Sequence, residues 1–301
     1  MDLRTLPYKP TRAIIINCST KLFTALALAS VLRNTDADVL VIDCESTDGS
    51  WEYLLRIKSN HNDRVELARL PLQQHGTTLD LVFNNINSDL LLLVDSDLEI
   101  LKPDIYEKMV AQLNNSDAYG SGLIHPGEWM TNASHKIANG TTYFMERMWI
   151  PLTLLRTGRI REVLANGGSF LAKREYRKIL VNKKFTQIYS KRLRIPGVRN
   201  YPHIIDRRIF DSANPIVKEY DTGAHIHEVS KLLGYSFENI PLTHWSDVYH
   251  FDGVTRATRR NLLRSTLIKL GALSKKAEND LSSSQETVIR RLKEKFPEFL
   301  L

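Results

Sequence analysis

The chain has 301 residues, of which 43% are hydrophobic, and this is enough apolar sequence for a full core in one large domain. It contains no run of about 18 uninterrupted apolar residues, so we expect no membrane-spanning helix. The net charge of +7 conceals an acidic half, residues 1–155 with a net charge of −6, which argues against a nucleic-acid partner.

Two basic blocks, residues 156–208 and 256–301, carry net charges of +12 and +6. They favour an anionic partner such as phosphate groups, an acidic glycan or an anionic membrane surface, although solubility alone explains them equally well. The first residues lack the apolar run of a signal peptide, and Cys18 and Cys44 are the only cysteines. We therefore expect a cytoplasmic protein with two buried thiols.

Short apolar runs alternate with helical stretches over the first 120 residues. Continuously apolar runs suit buried strands, and their alternation with helices indicates a parallel sheet with crossover helices. The predicted strands are 13–17, 38–43, 65–70 and 90–94, and the predicted helices are 21–33, 48–58 and 77–87.

The pattern weakens beyond residue 120, and residues 120–165 have no clean period. The remaining predicted elements are a strand at 167–172, helices at 174–180 and 222–233, and a helical segment at 255–301. Gly234 is predicted to end the helix before it as a C-terminal cap. Three serines at 282–284 are predicted to divide the last segment into two helices.

The sharpest chemical signal follows the fourth predicted strand, where five apolar residues lead into Asp95-Ser96-Asp97. In an open α/β sheet, ligands gather at the carboxyl ends of the strands, which is where these carboxylates lie. Hard oxygen ligands at that place suit one Mg²⁺ or Mn²⁺ that bridges protein and phosphate oxygens. An ordinary strand-to-turn junction is the weaker interpretation.

A second acidic cluster, residues 43–50, follows the second predicted strand. Its carboxylates suit hydrogen bonds from a ribose or a base, and Ser46 or Thr47 suits the cap of the following helix. Helix capping alone explains Asp48, but it does not explain Asp43 at the end of the strand.

Three segments stand in the order and spacing of family 2 glycosyltransferases: the isoleucine run at 14–16, the acidic loop at 41–50 and the Val-Asp-Ser-Asp motif at 94–97. The chain resembles that family over its first 120 residues and more weakly to about residue 255. The resemblance implies an α/β fold of the GT-A type, with a mostly parallel central sheet flanked by helices and a C-terminal helical extension. It also implies a metal-dependent, inverting transfer of a sugar from a nucleotide-diphosphate donor to a glycan or other hydroxyl acceptor.

The resemblance also implies the donor and metal sites. It assigns the donor to polar residues at the strand ends and in the third helix: Asn17, Ser19, Asp43, Glu45, Asp48, Asp80, Asp95 and Ser96. Glu45 departs from the family pattern, so the nucleoside contact is expected to move to its side chain. For Mg²⁺ or Mn²⁺ it implies Asp97 as a direct ligand, Asp95 beside it, and a C-terminal histidine. His250 is preferred over His244 because its segment resembles the family's His-x-Gly-Gly.

Inverting transfer needs one general base to deprotonate the acceptor hydroxyl. In the family this carboxylate lies just before a helix that ends in Gly-Tyr, and here that helix ends at Gly234-Tyr235. Asp221 is the preferred candidate, with Glu219 and Asp211 as alternatives. An acidic residue at this place also suits the helix dipole without any catalytic role.

The family organisation divides the chain into a nucleotide-sugar-binding half at 1–120, an acceptor-binding and catalytic half at 121–254, and a basic helical extension at 255–301. Residues 256–270 form a basic amphipathic pattern that suits peripheral contact with the inner face of an anionic membrane. A helix that packs on its own domain is the more common case. A glycan or lipid-linked acceptor and a role in cell-surface polysaccharide synthesis are expected from the family alone.

Other protein classes fit the motifs less well. Haloacid dehalogenase phosphohydrolases carry Asp-x-Asp near the chain start, whereas here two strand–helix units precede the motif. Nucleotidyltransferases have a Gly-rich basic loop after the first strand, which residues 17–21 do not form. The remaining alternative is a catalytically silent GT-A domain used for binding or scaffolding, since fold and motif do not guarantee activity.

Overall fold

Strands and helices alternate along most of the protein, whose computed structural model describes residues 3–61, 63–130, 142–176, 216–251, 254 and 276–300. The strands in these residues are β1 (Lys9–Asn17), β2 (Asp38–Cys44), β3 (Val65–Leu70), β4 (Ser88–Asp95), β5 (Leu98–Ile100), β6 (Gly120–His125), β7 (Glu128–Met130), β8 (Thr142–Phe144), β9 (Arg147–Arg156), β10 (Lys173–Tyr176), β11 (Ile216–Tyr220), β12 (Phe237–Asn239) and β13 (Val248–His250). The helices are α1 (Lys21–Asn34), α2 (Ser50–Asn60), α3 (His75–Asn85), α4 (Asp104–Asn114), α5 (Thr157–Ala165), α6 (Ala224–Leu232) and α7 (Lys276–Lys295), with short 3₁₀ turns at Leu3–Thr5 and Pro297–Phe299.

Seven of these strands form the central sheet, in the order β12-β6-β9-β4-β1-β2-β3. β1 pairs in parallel with both β2 and β4, and the pairs β2–β3 and β6–β12 are also parallel. β9 is the exception, because it runs antiparallel between β4 and β6. The central sheet is therefore mixed but mostly parallel, as predicted.

Side chains of the sheet alternate between two hydrophobic cores, one on each face. In β1, Ala13 and Ile15 lie in the first core and Ile14 lies in the second, as strand geometry requires. Helices α1, α2, α4 and α7 cover the first face, whereas α3, α5 and α6 cover the second. Both faces of the strands are buried, and this explains their continuously apolar sequences.

Helix α1 has no polar face because it is covered on two sides. All its residues from Phe23 to Val31 are buried. The helix contacts the sheet on one side and α7 on another, and Val288 and Leu292 of α7 belong to the same core. A helix that is apolar all round is expected where it is fully enclosed. The C-terminal helix is thus part of the domain core.

Two smaller sheets lie beside the central one. β10, β11, β8 and β7 form a four-stranded sheet in that order, and β11 leads directly towards α6. β5 and β13 form an antiparallel ribbon in which His250 is opposite Leu98 and Val248 is opposite Ile100. The ribbon therefore brings the end of β13 back to the residues that follow β4.

The strands and helices predicted in the first 120 residues are confirmed in type and order. The helix predicted at 222–233 is also confirmed, as α6, and Gly234 beyond it has a φ of 84°. Cys18 and Cys44 are buried and are not joined in a disulfide, as predicted. Among the described residues, no helix combines the length and the apolarity needed to cross a bilayer.

The strand predicted at 167–172 is wrong, because the glycine pair there ends a helix. Gly167 has a φ of 87°, and the backbone N–H of Gly168 donates to the carbonyl of Val163 at 2.9 Å, which closes α5. The helix predicted at 174–180 is also wrong where the structure describes it, since Lys173–Tyr176 form β10 and pair with β11.

The break predicted near 282–284 is wrong as well, because α7 continues from Lys276 to Lys295. Val288 and Leu292 anchor its far half in the core, and this tertiary contact outweighs the low helix propensity of three serines. The basic residues 256–270 lie outside the described residues.

Gly76, near the start of α3, lies against the backbone of Phe170, where a Cβ would be only 2.4 Å from the carbonyl oxygen. Gly76→Ala is expected to lower the free energy of unfolding by about 1–3 kcal/mol, because backbone must move to admit the methyl group. Gly158→Ala is the control, since a Cβ there meets nothing within 4 Å and should change stability by less than about 1 kcal/mol. Urea unfolding measures both, and equally small effects would contradict the close contact.

Candidate active site

Three neighbouring strands of the central sheet, β1, β2 and β4, end at the same edge with polar side chains, Asn17, Asp43 and Asp95. β1 has β2 on one side and β4 on the other, although β4 comes after β3 in the sequence. The strand order therefore changes direction at β1. Open α/β sheets bind their ligands at such a place.

A buried hydrogen-bond network joins β1 to the loop after β2. The Asn17 side-chain amide donates to Asp43 Oδ1 at 2.8 Å and to Ser46 Oγ at 2.9 Å. Its carbonyl oxygen accepts hydrogen bonds from the hydroxyls of Thr20, at 2.9 Å, and Thr24, at 2.8 Å. Asn17 and Asp43 are fully buried. Both therefore hold the loop in place, and their direct contact with a donor stays a prediction.

Asp48 and Ser19 connect this loop to the adjacent helices. Asp48 accepts hydrogen bonds from the backbone N–H groups of Lys21, at 2.9 Å, and Ser50, at 3.2 Å, so it joins the starts of α1 and α2. The Ser19 hydroxyl accepts a hydrogen bond from the backbone N–H of Thr47 at 3.1 Å. Both side chains stabilise the rim of the edge, and their contact with a donor also stays a prediction.

Ser96 and Glu45 differ in exposure. Ser96 is buried, and its hydroxyl forms a hydrogen bond with Thr20 Oγ1 at 3.1 Å, which joins the residue after β4 to the start of α1. Glu45 is exposed, has a φ of 50°, and accepts a hydrogen bond from the Leu72 backbone at 3.2 Å. Of the two, Glu45 presents its carboxylate to solvent at the edge.

Asp95, Asp97 and His250 are brought together by the fold. Each offers one ligand atom, and these atoms lie within 4.8 Å of one another. His250 Nε2 is 3.2 Å from Asp97 Oδ1 and 3.9 Å from Asp95 Oδ2. Asp97 is buried, whereas 26% of the Asp95 side chain is exposed. Two carboxylates and one imidazole thus form a cluster that can hold a cation, which we call the acidic cluster.

Electrostatics at the acidic cluster favour a positive ligand. Burial raises the pKa of Asp95 above its ordinary value, and the carboxylates of Asp97 and Asp221 raise it further, whereas His75 and His250 lower it. Like charges in a partly dehydrated site repel each other. A divalent cation would reverse that repulsion.

His75 is a site residue that sequence analysis did not single out. It is the first residue of α3, and it lies close enough to Asp95 to lower the pKa of that carboxyl. Neither a strand end nor a motif marks it in the sequence. Its place two residues before the third predicted helix was the available signal.

His250, and not His244, has its ring against the carboxylates. His244 Nε2 accepts a hydrogen bond from the backbone N–H of His250 at 3.1 Å, so His244 supports the ribbon backbone. The ring of Trp149 lies edge-on to the His250 ring, with centroids 5.6 Å apart, and limits its rotation.

Asp221 lies between β11 and α6, and its side chain is 57% exposed. Its charge contributes to the raised pKa of Asp95, which places it near the acidic cluster. Arg147 Nε lies 3.5 Å from Asp221 Oδ2. Glu219 lies within β11, and Asp211 lies outside the described residues. Of the two candidate bases that the structure describes, Asp221 is the one whose charge raises the pKa of Asp95, and its role as the base stays a prediction.

Asp80 supports the loop that follows α5. Its carboxylate accepts hydrogen bonds from the Ser169 hydroxyl at 2.6 Å and the Phe170 N–H at 2.8 Å. The Phe170 carbonyl in turn accepts a hydrogen bond from the Gly223 N–H at 3.2 Å. Asp80 is therefore linked through this loop to the segment that carries Asp221, and its direct contact with a donor stays a prediction.

A polar chain that runs from the interior to the surface anchors α6, the helix that follows Asp221. Tyr119 Oη lies 2.6 Å from His227 Nδ1, and His227 Nε2 and Lys231 Nζ each lie 2.8 Å from Glu146 Oε1. Burial lowers the pKa of His227, and hydrogen bonds from Lys231 and His227 lower the pKa of Glu146. The chain joins α6 to residues that directly precede β6 and β9.

Comparison with known proteins gives one family match. The sequence model described as "Glycosyl transferase family 2" matches residues 13–178, more than half of the chain. This region contains the strand-end residues and both aspartates of the acidic cluster, whereas His250 and Asp221 lie beyond it. No curated protein sequence matches the chain.

Solved structures resemble the chain at low identity. TarS from S. aureus, residues 1–349 in complex with UDP-GlcNAc, has a TM-score of 0.38 and 15% identity over 54% of this chain and 49% of its own. The mannosyltransferase PcManGT from Pyrobaculum calidifontis, in complex with GDP-Man and Mn²⁺, has a TM-score of 0.49 and 13% identity over 98% of this chain and 78% of its own. The chain thus spans about half the length of the TarS structure that it matches.

Proposed function

Because this chain belongs to glycosyl transferase family 2, we propose that it transfers a sugar from a nucleotide-diphosphate donor to a hydroxyl acceptor with the help of a divalent cation. The predicted GT-A fold is confirmed by that membership and by the mixed seven-stranded sheet. One observation carries the proposal: Asp95, Asp97 and His250 converge at the edge where the strand order changes direction.

The acidic cluster is proposed to hold Mn²⁺ in preference to Mg²⁺. Mg²⁺ takes oxygen ligands and keeps most of its waters, whereas imidazole suits transition metals, so two carboxylates with one imidazole favour Mn²⁺. Asp97 and His250 would hold the cation directly, and Asp95 would contact it or one of its waters. When bound, the cation offsets the negative charge that develops on the leaving diphosphate.

The nucleoside of the donor is proposed to lie over the loop that follows β2. Glu45 and Asp48 are both exposed carboxylates of that loop. Because Asp48 accepts hydrogen bonds from the starts of α1 and α2, we assign the direct contact to Glu45. Ser19 and Asp48 lie at the rim of the same edge. Asn17 and Asp43, which are buried beneath it, act by keeping the loop in its conformation.

Ser96 and Asp80 are proposed to affect donor binding indirectly. Ser96 ties the segment between the two cluster aspartates to Thr20. Asp80 ties α3 to the loop that contacts Gly223. Both residues would therefore affect donor binding through the elements that they hold.

Asp221 is proposed as the general base of an inverting displacement. In such a reaction one carboxylate takes the acceptor proton while the diphosphate leaves from the opposite face of the sugar. Support comes from its exposure, from its nearness to Asp95, and from the hydrogen bond that holds Gly223 two residues later. Glu219 is the second candidate.

The acceptor is proposed to be a glycan or a lipid-linked hydroxyl, as in cell-surface polysaccharide synthesis. The net charge of +12 in residues 156–208 supports an anionic acceptor or carrier. Peripheral contact of residues 256–270 with the inner face of a membrane, in a cytoplasmic protein, belongs to the same proposal.

Asp97→Asn is expected to reduce cation-dependent donor turnover by about 100-fold to 1,000-fold or more, because it weakens the charge that holds the cation. The measurement is hydrolysis of a panel of nucleotide-sugars with Mn²⁺ and with a chelator. Asp104→Asn, which removes an exposed carboxylate paired with Lys108 in α4, should keep wild-type turnover. Failure of the wild type to bind or turn over any donor would leave a GT-A binding module.

Asp221→Asn is expected to lower kcat for sugar transfer by about 100-fold to 10,000-fold, because the amide cannot take the acceptor proton. The donor KM should stay near the wild-type value. Glu219→Gln is the matched variant and should keep most of the wild-type kcat. Steady-state kinetics of the two variants decides between the candidates, and a large loss in Glu219→Gln alone would transfer the role to that residue.

A further inference from the structure

The C-terminal helix α7 contacts the ribbon that carries His250. Glu99 lies in β5, two residues after Asp97, and is only 1% exposed. Its carboxylate forms ion pairs with Arg291 and with Lys295, whose Nζ lies 2.8 Å from Oε1. These two cations are one turn apart on α7 and lie 192 and 196 residues further along the chain.

The Glu99 contact ties α7 and β5 to each other in one arrangement. A buried carboxylate is strongly unfavourable unless it is paired and hydrogen-bonded. Its pairing with two cations from one helix therefore penalises any shift of β5 relative to α7. Buried ion pairs add little to stability compared with an apolar contact of similar size. The main effect of these pairs is therefore to fix the position of β5 relative to α7.

Tyr249 extends the contact to the second strand of the ribbon. It is the direct cross-strand partner of Glu99, and it immediately precedes His250. The Arg291 guanidinium lies over the Tyr249 ring, 4.2 Å from its centroid. Arg291 therefore contacts both strands of the ribbon, close to Asp97 in the chain on one strand and next to His250 on the other.

The ribbon needs support from outside, because a two-stranded sheet is marginally stable alone. Helix α1 supports β5 through Ile100, whose N–H donates to Ser30 Oγ at 3.1 Å and whose carbonyl accepts from Asn34 at 2.9 Å. Those hydrogen bonds fix β5, whereas the Arg291 contact fixes β5 and β13 together.

We propose that Glu99, Arg291 and Lys295 are positioning residues that hold Asp97 and His250 at the spacing that a divalent cation needs. The inference rests on the proposed function, because it concerns the same cation site. It gives the C-terminal helix a part in cation affinity, which acts through the two strands of the ribbon.

The test is a Mn²⁺ titration of the full chain without donor, followed by the EPR signal of free Mn²⁺. Glu99→Gln keeps the size of the side chain and removes its charge, and Arg291→Met removes the contact to both strands. The Mn²⁺ dissociation constant is expected to rise about 10-fold to 100-fold in each, as is typical when the support of metal ligands is removed. Lys295→Met leaves the ion pair between Glu99 and Arg291 in place, so its Mn²⁺ dissociation constant should rise less. It replaces Arg291→Met in the test if that variant does not fold.

The matched control is Glu66→Gln in β3, which removes a carboxylate from another ion pair. Glu66 pairs with the buried Arg12 at 2.6 Å, towards the amino ends of β1 and β3 and away from the acidic cluster. This variant should lose thermal stability but keep the wild-type Mn²⁺ dissociation constant.

Two results would overturn the inference, and they have different meanings. If Glu99→Gln loses stability as Glu66→Gln does but binds Mn²⁺ like the wild type, the ion pairs only stabilise the fold and the proposed cation site is unaffected. If the wild type itself does not bind Mn²⁺, the cation site of the proposed function fails, and the inference fails with it.

Discussion

The antiparallel pairing of β5 with β13 is the constraint on which the candidate site depends. β4 delivers Asp95 to the edge of the sheet, and the chain passes through Asp97 directly into β5. The Phe251 N–H donates to the Asp97 carbonyl at 2.9 Å, and His250 lies opposite Leu98 in the ribbon. This pairing places an imidazole from the C-terminal part of the chain 3.2 Å from a carboxylate of the family-matched region.

The central sheet supplies the rest of the site through the ends of its strands. Buried hydrogen bonds among Asn17, Asp43 and Ser46 hold the loop after β2, so the exposed carboxylate of Glu45 stays at the edge. Asp221 enters from the junction of β11 and α6, whose helix is anchored by the buried His227. Several carboxylates are thus held near one another, and their mutual repulsion is the physical reason to expect a cation there.

The parts of the fold that follow from local pattern are predictable, and those that follow from distant pairing are not. Strands β1 to β4 are predictable from their apolar runs, and Asp95 and Asp97 from their place directly after β4. In a parallel sheet, each buried strand and the polar residues at its end are adjacent in the sequence. The antiparallel insertion of β9 depends on its neighbours. Helix α5 was not predicted, because the glycines that end it resemble the start of a strand in the sequence. His250 required the family resemblance. His75 is marked in the sequence only by its place before the third predicted helix, and its proximity to Asp95 exists only in the folded chain. The predicted break in α7 does not occur, because packing against α1 keeps this helix continuous.

The position of Mn²⁺ in crystals grown with Mn²⁺ and a nucleoside diphosphate, located by anomalous scattering, tests the cation site most directly. We expect one strong peak about 2–2.5 Å from a carboxylate oxygen of Asp97 and from His250 Nε2, with Asp95 beside it. A peak elsewhere on the protein, or no peak while the nucleoside diphosphate is bound, would contradict the assignment of these residues as the cation site.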